Sequence, residues 1–326
     1  MNNRRKLLVV LGAGALTVSC TCYAQEQGKV WRIGHLSLAS GPDQSVVAFR
    51  EQLRALGYAE GRNLLIEFRW AAGKRERLPE LAAELVRLKP DVIVTRTTVV
   101  ALAAKRATST IPIVMAGAAD PVGTGVVASL ARPGGNVTGV TTNSMEIVGK
   151  RLQLLREFVP RATRLAILAW KDSPTEAEFL AQLREAARQM GVTLILQAVS
   201  TPEELAGAFG AMQRERAQGL IVQTTPFATN NLKRIVELAA QHRLPAMFEG
   251  RGAVDAGGLM SYGPSLTEMS RRAAYYVDRV LKGTKPADLP VEQPTTYELV
   301  INGKTAKALG LKIPQSLQIM ANKIIE

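Results

Sequence analysis

The sequence predicts an α/β fold of two doubly wound, parallel-sheet lobes, and three observations predict it. Short β-rich apolar runs alternate with amphipathic stretches of about 10–15 residues along most of the chain, the pattern of strand–helix–strand crossovers and so of parallel sheets. The alternation comes as two successive series, one ending near Thr141 and the next starting near Met145, each sufficient for a sheet covered on both faces. Beyond the first 24 residues about 300 remain, which fits two domains of about 150 residues.

The first series opens with a strand over 32–38. Val46, Val47, Phe49, Leu53 and Leu56 recur at helical spacing and predict a helix over 43–56, stopped by Gly57. A strand over 63–70 and a helix over 78–88, ended by Pro90, follow. The continuous apolar run 91–95 has the character of a strand buried on both faces. A helix over 98–107, a strand over 112–116 and a short helix over 124–130 come next. After the turn Arg132-Pro133-Gly134-Gly135, a strand over 136–141 completes the series.

The second series pairs helix 145–158 with strand 165–169, helix 176–190 with strand 193–198, helix 202–215 with strand 219–223, and helix 230–242 with strand 245–248. Strict alternation then stops. A strand over 258–262 and a helix over 265–282 lead to a connection punctuated by Pro286, Pro290 and Pro294, which reads as chain passing between lobes. A strand over 297–301 and a short helix over 304–309 follow.

The N-terminus reads as a secretory signal peptide over residues 1–24. Arg4, Arg5 and Lys6 precede the apolar run 7–18, and Cys22-Tyr23-Ala24 sets small residues at −3 and −1 of a cleavage site. The run is too short to span roughly 30 Å of hydrocarbon, and no later segment approaches 18 apolar residues. Both cysteines, Cys20 and Cys22, lie in this segment, so the mature chain is expected to carry no disulfide, cysteine ligand or cysteine nucleophile. A lipid anchor at Cys20 is the alternative route, although Thr17 replaces the usual aliphatic residue; Arg4-Arg5 fits a twin-arginine signal only loosely. The expected location is the periplasm.

Of the formal net charge of +13, the signal supplies three, leaving +10 on the mature chain. Its basic residues are scattered singly, with no aromatic–basic stripe on which bases would stack, so no nucleic-acid partner is expected.

Ligands of open parallel sheets sit beyond the carboxyl ends of the strands, where helix N-termini offer free N–H groups. This rule selects Ser37, Trp70, Arg96, Thr97, Thr98, Ala118 and Asp120 in the first lobe. In the second it selects Asn143, Trp170, Asp172, Thr224 and Glu249, with Tyr262 near the hinge. The chemistry suits a zwitterion. Thr97, Thr98 and the amides at that helix start suit a carboxylate; Asp120, Asp172 or Glu249 suits an ammonium; Trp70, Trp170 or Tyr262 suits an apolar side chain. Capping explains Asp120 and the two threonines equally well, and packing explains the tryptophans. His35 and His242 stand alone, and neither a Gly-x-Ser-x-Gly elbow nor a phosphate loop occurs. No cofactor, no metal and no enzyme activity are expected.

The chain resembles the ABC-transporter substrate-binding proteins that include tryptophan and tyrosine binders. The likeness rests on Leu56-Gly57-Tyr58 with Glu60-Gly61-Arg62-Asn63, Arg69-Trp70-Ala71, Asp120-Pro121-Val122-Gly123-Thr124-Gly125, Arg132-Pro133-Gly134-Gly135-Asn136-Val137-Thr138-Gly139 and Gly257-Gly258-Leu259-Met260-Ser261-Tyr262-Gly263. The resemblance implies a type I periplasmic-binding fold with three crossovers between lobes, here 29–142 plus 264–292 and 143–263 plus 293–326. It implies solute capture in the cleft by hinge closure, an ABC permease as partner and a monomeric receptor for an amino acid or related carboxylate. Family members often carry a small residue, commonly glycine, where Arg96 stands, which weakens a direct transfer of aromatic specificity. Two alternatives stay open: a sensor presenting its solute to a membrane receptor, and an exported enzyme on the same fold.

Overall fold

The computed structural model describes residues 29–142, 146–171, 173 and 175–326. The expected signal peptide, Asn143 and Asp172 lie outside the described residues.

The first sheet comes from β1 (Trp31–Ser37), α1 (Gln44–Ala55), β2 (Leu64–Trp70), α2 (Leu78–Arg87), β3 (Val92–Thr95), α3 (Thr98–Ala107), β4 (Ile113–Ala118) and β5 (Val137–Thr141). Its strands run parallel in the order β2-β1-β3-β4-β5. The next stretch supplies α4 (Val148–Phe158), β6 (Arg164–Trp170), α5 (Glu176–Met190), β7 (Thr193–Val199), α6 (Glu204–Arg214) and β8 (Leu220–Val222). It continues with α7 (Pro226–Asn230), α8 (Leu232–Gln241), β9 (Ala246–Phe248), α9 (Gly252–Asp255) and β10 (Met260–Gly263). After α10 (Leu266–Leu281) come β11 (Glu298–Asn302), α11 (Gly303–Ala308), α12 (Gln315–Met320) and β12 (Lys323–Ile325). The second sheet runs β12-β11-β10-β9-β8-β6-β7, and β11 lies antiparallel to β10. This is the expected α/β architecture of two mainly parallel sheets.

Each sheet is buried on both faces, which is why its central strands are continuously apolar. Leu36, Ile93, Ile113 and Met115 pack under α2 and α3. Ile33, Val92, Val94 and Val114 pack under α1 and α10 with Phe49, Met269 and Val277. In the second sheet, Leu165 and Ile167 meet α4 and α5, while Ala166, Leu168 and Leu220 meet α6 and α8. Helix ends follow local chemistry. The Asp43 carboxylate accepts from the Ser45 and Val46 amides at 3.0 and 3.2 Å to start α1. Gly191, at φ 62°, takes the left-handed turn that ends α5.

The chain passes between the sheets three times. It leaves β5 for α4, leaves β10 for α10 on the first sheet, and returns to the second at β11. Before that return, Glu292 bridges to the end of β5: its N–H donates to Gly139 O and its carbonyl accepts from Thr141 N, both at 2.9 Å.

The structure replaces one expected helix and adds short elements that were not expected. Residues 124–130 form turns instead of a helix, because Asp120 caps the Gly123 amide at 2.8 Å and Gly125 sits at φ 70°. The helix expected over 230–242 is present as α8, but a separate short helix, α7, precedes it; Thr225 caps and Pro226 opens α7. Short α9 was not anticipated, nor were α12 and β12 near the C-terminus. Among the described residues no helix is long and apolar enough to cross a membrane.

Candidate functional site

The carboxyl ends of both sheets face one cavity of about 230 Å³. The first sheet contributes Arg96, Thr97, Thr98, Gly117 and Ala119; the crossovers contribute Thr142 and Pro264. The second sheet contributes Trp170, Ser173, Thr175, Thr224, Thr229 and Glu249. The two sides also meet at the mouth. A Cβ on Gly73 would lie 2.9 Å from Asn230 Nδ2, and the Arg75 guanidinium carbon sits 6.0 Å from the Trp170 ring centre.

Thr97 sits where β3 turns into α3, at φ 86° and ψ 150°, a region strained for a residue with a Cβ. Its N–H donates to Gly117 O at 3.1 Å, and its Oγ1 is buried without a partner. No side chain caps α3, and the Ala101 amide makes the first hydrogen bond back to Thr97 O, leaving the opening amides of α3 as orphan donors beside the cavity. Thr98 Oγ1 accepts from the Ala119 amide at 3.0 Å, tying the ends of β3 and β4 together.

The charged groups on the wall are paired. Arg96 Nη1 donates to Asp43 Oδ2 at 2.6 Å and also meets Ser45 Oγ. Arg96 and the hydrogen bonds from Ser45 and Val46 hold the Asp43 carboxyl below its ordinary range, although burial opposes them. Glu249 is buried and lies 3.1 Å from Arg151 Nη2, whose Nε donates to Tyr262 O at 2.8 Å. Burial pulls the Arg151 guanidinium pKa down, and the Glu249 charge opposes it. With each charge matched, the wall favours a neutral or zwitterionic solute over one of large net charge.

Trp170 forms part of the wall, stacked on Phe227 with ring centres 6.1 Å apart; its Nε1 is buried without a partner. Of the residues selected from the sequence, Arg96, Thr97, Thr98, Trp170, Thr224 and Glu249 therefore come together on one cavity.

The others lie off its wall. Ser37 Oγ accepts from the Ala39 amide at 3.1 Å and closes its own turn. Trp70 stacks on Phe68 at 5.4 Å and lies 5.5 Å from His35. Ala118 is fully buried, and its carbonyl accepts from Thr141 Oγ1 and the Thr142 amide. Asp120 caps the turn at Gly123. Tyr262 stacks on Tyr297 at 5.8 Å and packs against the second core. The strand-end rule passed over Thr142, Ser173, Thr175 and Thr229, although runs of Ser and Thr after strand ends were a usable signal. Among the described residues no group of three metal-ligating side chains occurs.

The model of the family described as ABC transporter substrate binding protein matches residues 37–325. The chain belongs to this family. It is 27% identical to a "Tyrosine-binding protein" of Clostridioides difficile over 96% of this chain and 94% of that protein. The structure of an ABC domain from Streptococcus pneumonia in complex with L-Trp superposes with a TM-score of 0.84 at 26% identity, covering 90% of this chain and 99% of that one. A conserved domain protein from Vibrio cholerae gives 0.85 at 26% identity, covering 91% and 100%. The fold is thus that of type I periplasmic binding proteins.

Proposed function

We propose that this protein is the exported, monomeric solute receptor of an ABC-type uptake system, capturing an amino acid or related carboxylate between its two sheets for an inner-membrane permease. The observation that carries this reading is the chemistry of the cavity: unused helix amides on one side, a buried carboxylate and an aromatic face on the other, and every wall charge already matched. The opening amides of α3 take the solute carboxylate, with Thr97 and Thr98 at the same helix start. Glu249 accepts from the ammonium, and Arg151 fixes the orientation of that carboxylate. Trp170 gives the side chain an apolar wall.

Relatives that bind tyrosine or hold L-Trp support an amino acid as the solute. A solute touching both sheets stabilises the closed arrangement by its differential affinity for it, and the permease recognises that form. The signal-peptide pattern of residues 1–24 supports export.

A thermal-shift screen against L-amino acids, aromatic acids, dicarboxylates, nucleosides and sugars tests the proposal. A solute at 100 times its dissociation constant stabilises by about 2.7 kcal/mol, a readily measured rise in Tm. The expected hits are amino or carboxylic acids. A response confined to sugars or nucleosides contradicts the reading.

A further inference from the structure

We propose that Arg96 determines specificity by shutting an aromatic compartment off from the solute cavity. Arg96 follows Val92 and Val94 at strand alternation, so its side chain leaves the sheet on the face covered by α1 and α10. There it stands over a second space lined by His35, Phe49, Trp70, Val94, Ala116 and Ser270. Only about 10 Å³ of that space is free, the room of one water. Its rings already form a box: His35 lies 5.5 Å from Trp70 and 6.3 Å from Phe49. His35 Nδ1 is buried there without a partner, as befits a polar atom walled off from both water and solute.

Arg96 and Asp43 line both spaces and form their common wall. The wall is fixed, with Arg96 largely buried and Asp43 on its solvent side. Arg96 Nη1 is 2.6 Å from Asp43 Oδ2, and Asp43 is itself held as the cap of α1. Shortening residue 96 removes the wall and leaves a cleft into which a planar ring fits against Trp70 and His35. With arginine in place, a solute's aromatic side chain is barred from this direction, and the cavity favours compact or polar side chains. The consequence for amino acids rests on the function proposed above; the compartment itself does not.

The test follows the indole N–H signals of Trp31, Trp70 and Trp170 by NMR while free indole is added to the wild type, Arg96→Ala and Arg96→Met. In Arg96→Ala the Trp70 signal is expected to move with a dissociation constant at least tenfold below that of the wild type. Methionine is shorter than arginine but fills the space its stem occupies, so Arg96→Met should hold Trp70 nearly as still as arginine does. An equal Trp70 response in wild type and Arg96→Ala, or none in either, overturns the proposal. The double variant Arg96→Ala/Asp43→Asn, which leaves no unpaired carboxylate and keeps a capping residue, carries the same test if the single variant does not fold. Failure of every amino and carboxylic acid to raise Tm of the wild type would sink the solute reading and leave this indole result standing.

Discussion

His35 has a neutral ring in the folded protein, because burial and the Arg96 charge pull its pKa from 6.5 to about 4, with Asp43 opposing. The unfolded chain therefore takes up a proton first as pH falls. The stability due to a neutral His35 is complete above about pH 6.5 and is lost progressively toward pH 4. Between pH 7 and pH 5 the wild type should lose about 2 kcal/mol by this route, and His35→Gln should lack that share of the slope. Urea unfolding of both proteins at the two pH values measures it; identical slopes would place the pH dependence elsewhere. Thr97 marks the other residue-scale tension. Its positive φ costs on the order of 1–3 kcal/mol, and it is tolerated where the backbone turns from β3 to aim the opening amides of α3 at the cavity.

The elements that were legible at their true bounds are those with local punctuation. Helix α3 over 98–107 and α5 over 176–190 combine apolar spacing with clear stops, Pro112 soon after one and Gly191 at the end of the other. The 124–130 stretch misled because Val126, Val127 and Leu130 carry apolar spacing, while Gly123, Gly125 and the Asp120 cap decide for turns. The C-terminal β12 has only three residues and exists through pairing with β11, which no local pattern announces. Gly139 shows the opposite case, a residue whose identity is set by pairing. It sits at φ 128° in β5, and a Cβ there would lie 2.2 Å from Met115 O on β4. Backbone cannot yield as a side-chain tip can, so Gly139→Ala should destabilise by roughly 3 kcal/mol or more. A chemical melt within 1 kcal/mol of wild type would contradict this account of the β4–β5 edge.

At the scale of the molecule, the strand-end rule located the cavity correctly in depth but not in direction. Ser37 and Trp70 end neighbouring strands of the first sheet, yet one closes its own turn and the other stacks on Phe68 and His35. Alternation gives the two faces of a strand; it does not say which face meets the opposite lobe. Thr142, Ser173 and Thr175 lie in loops or crossovers whose course depends on how the sheets come together, so a run of Ser and Thr after a strand end marks them as candidates without placing them on the wall. In the proposed function a solute holds the two sheets together around this cavity. Spin labels at Glu76→Cys and Ala177→Cys, exposed positions beside Arg75 on the first-sheet side and at the start of α5 on the second, report on it. Cys20 and Cys22 are the two cysteines of the chain, and replacing both by serine leaves the introduced thiols alone. Addition of the amino or carboxylic acid found in the thermal screen should narrow the distance distribution and shift it to its short end. A distribution unchanged by a saturating solute would contradict capture between the lobes.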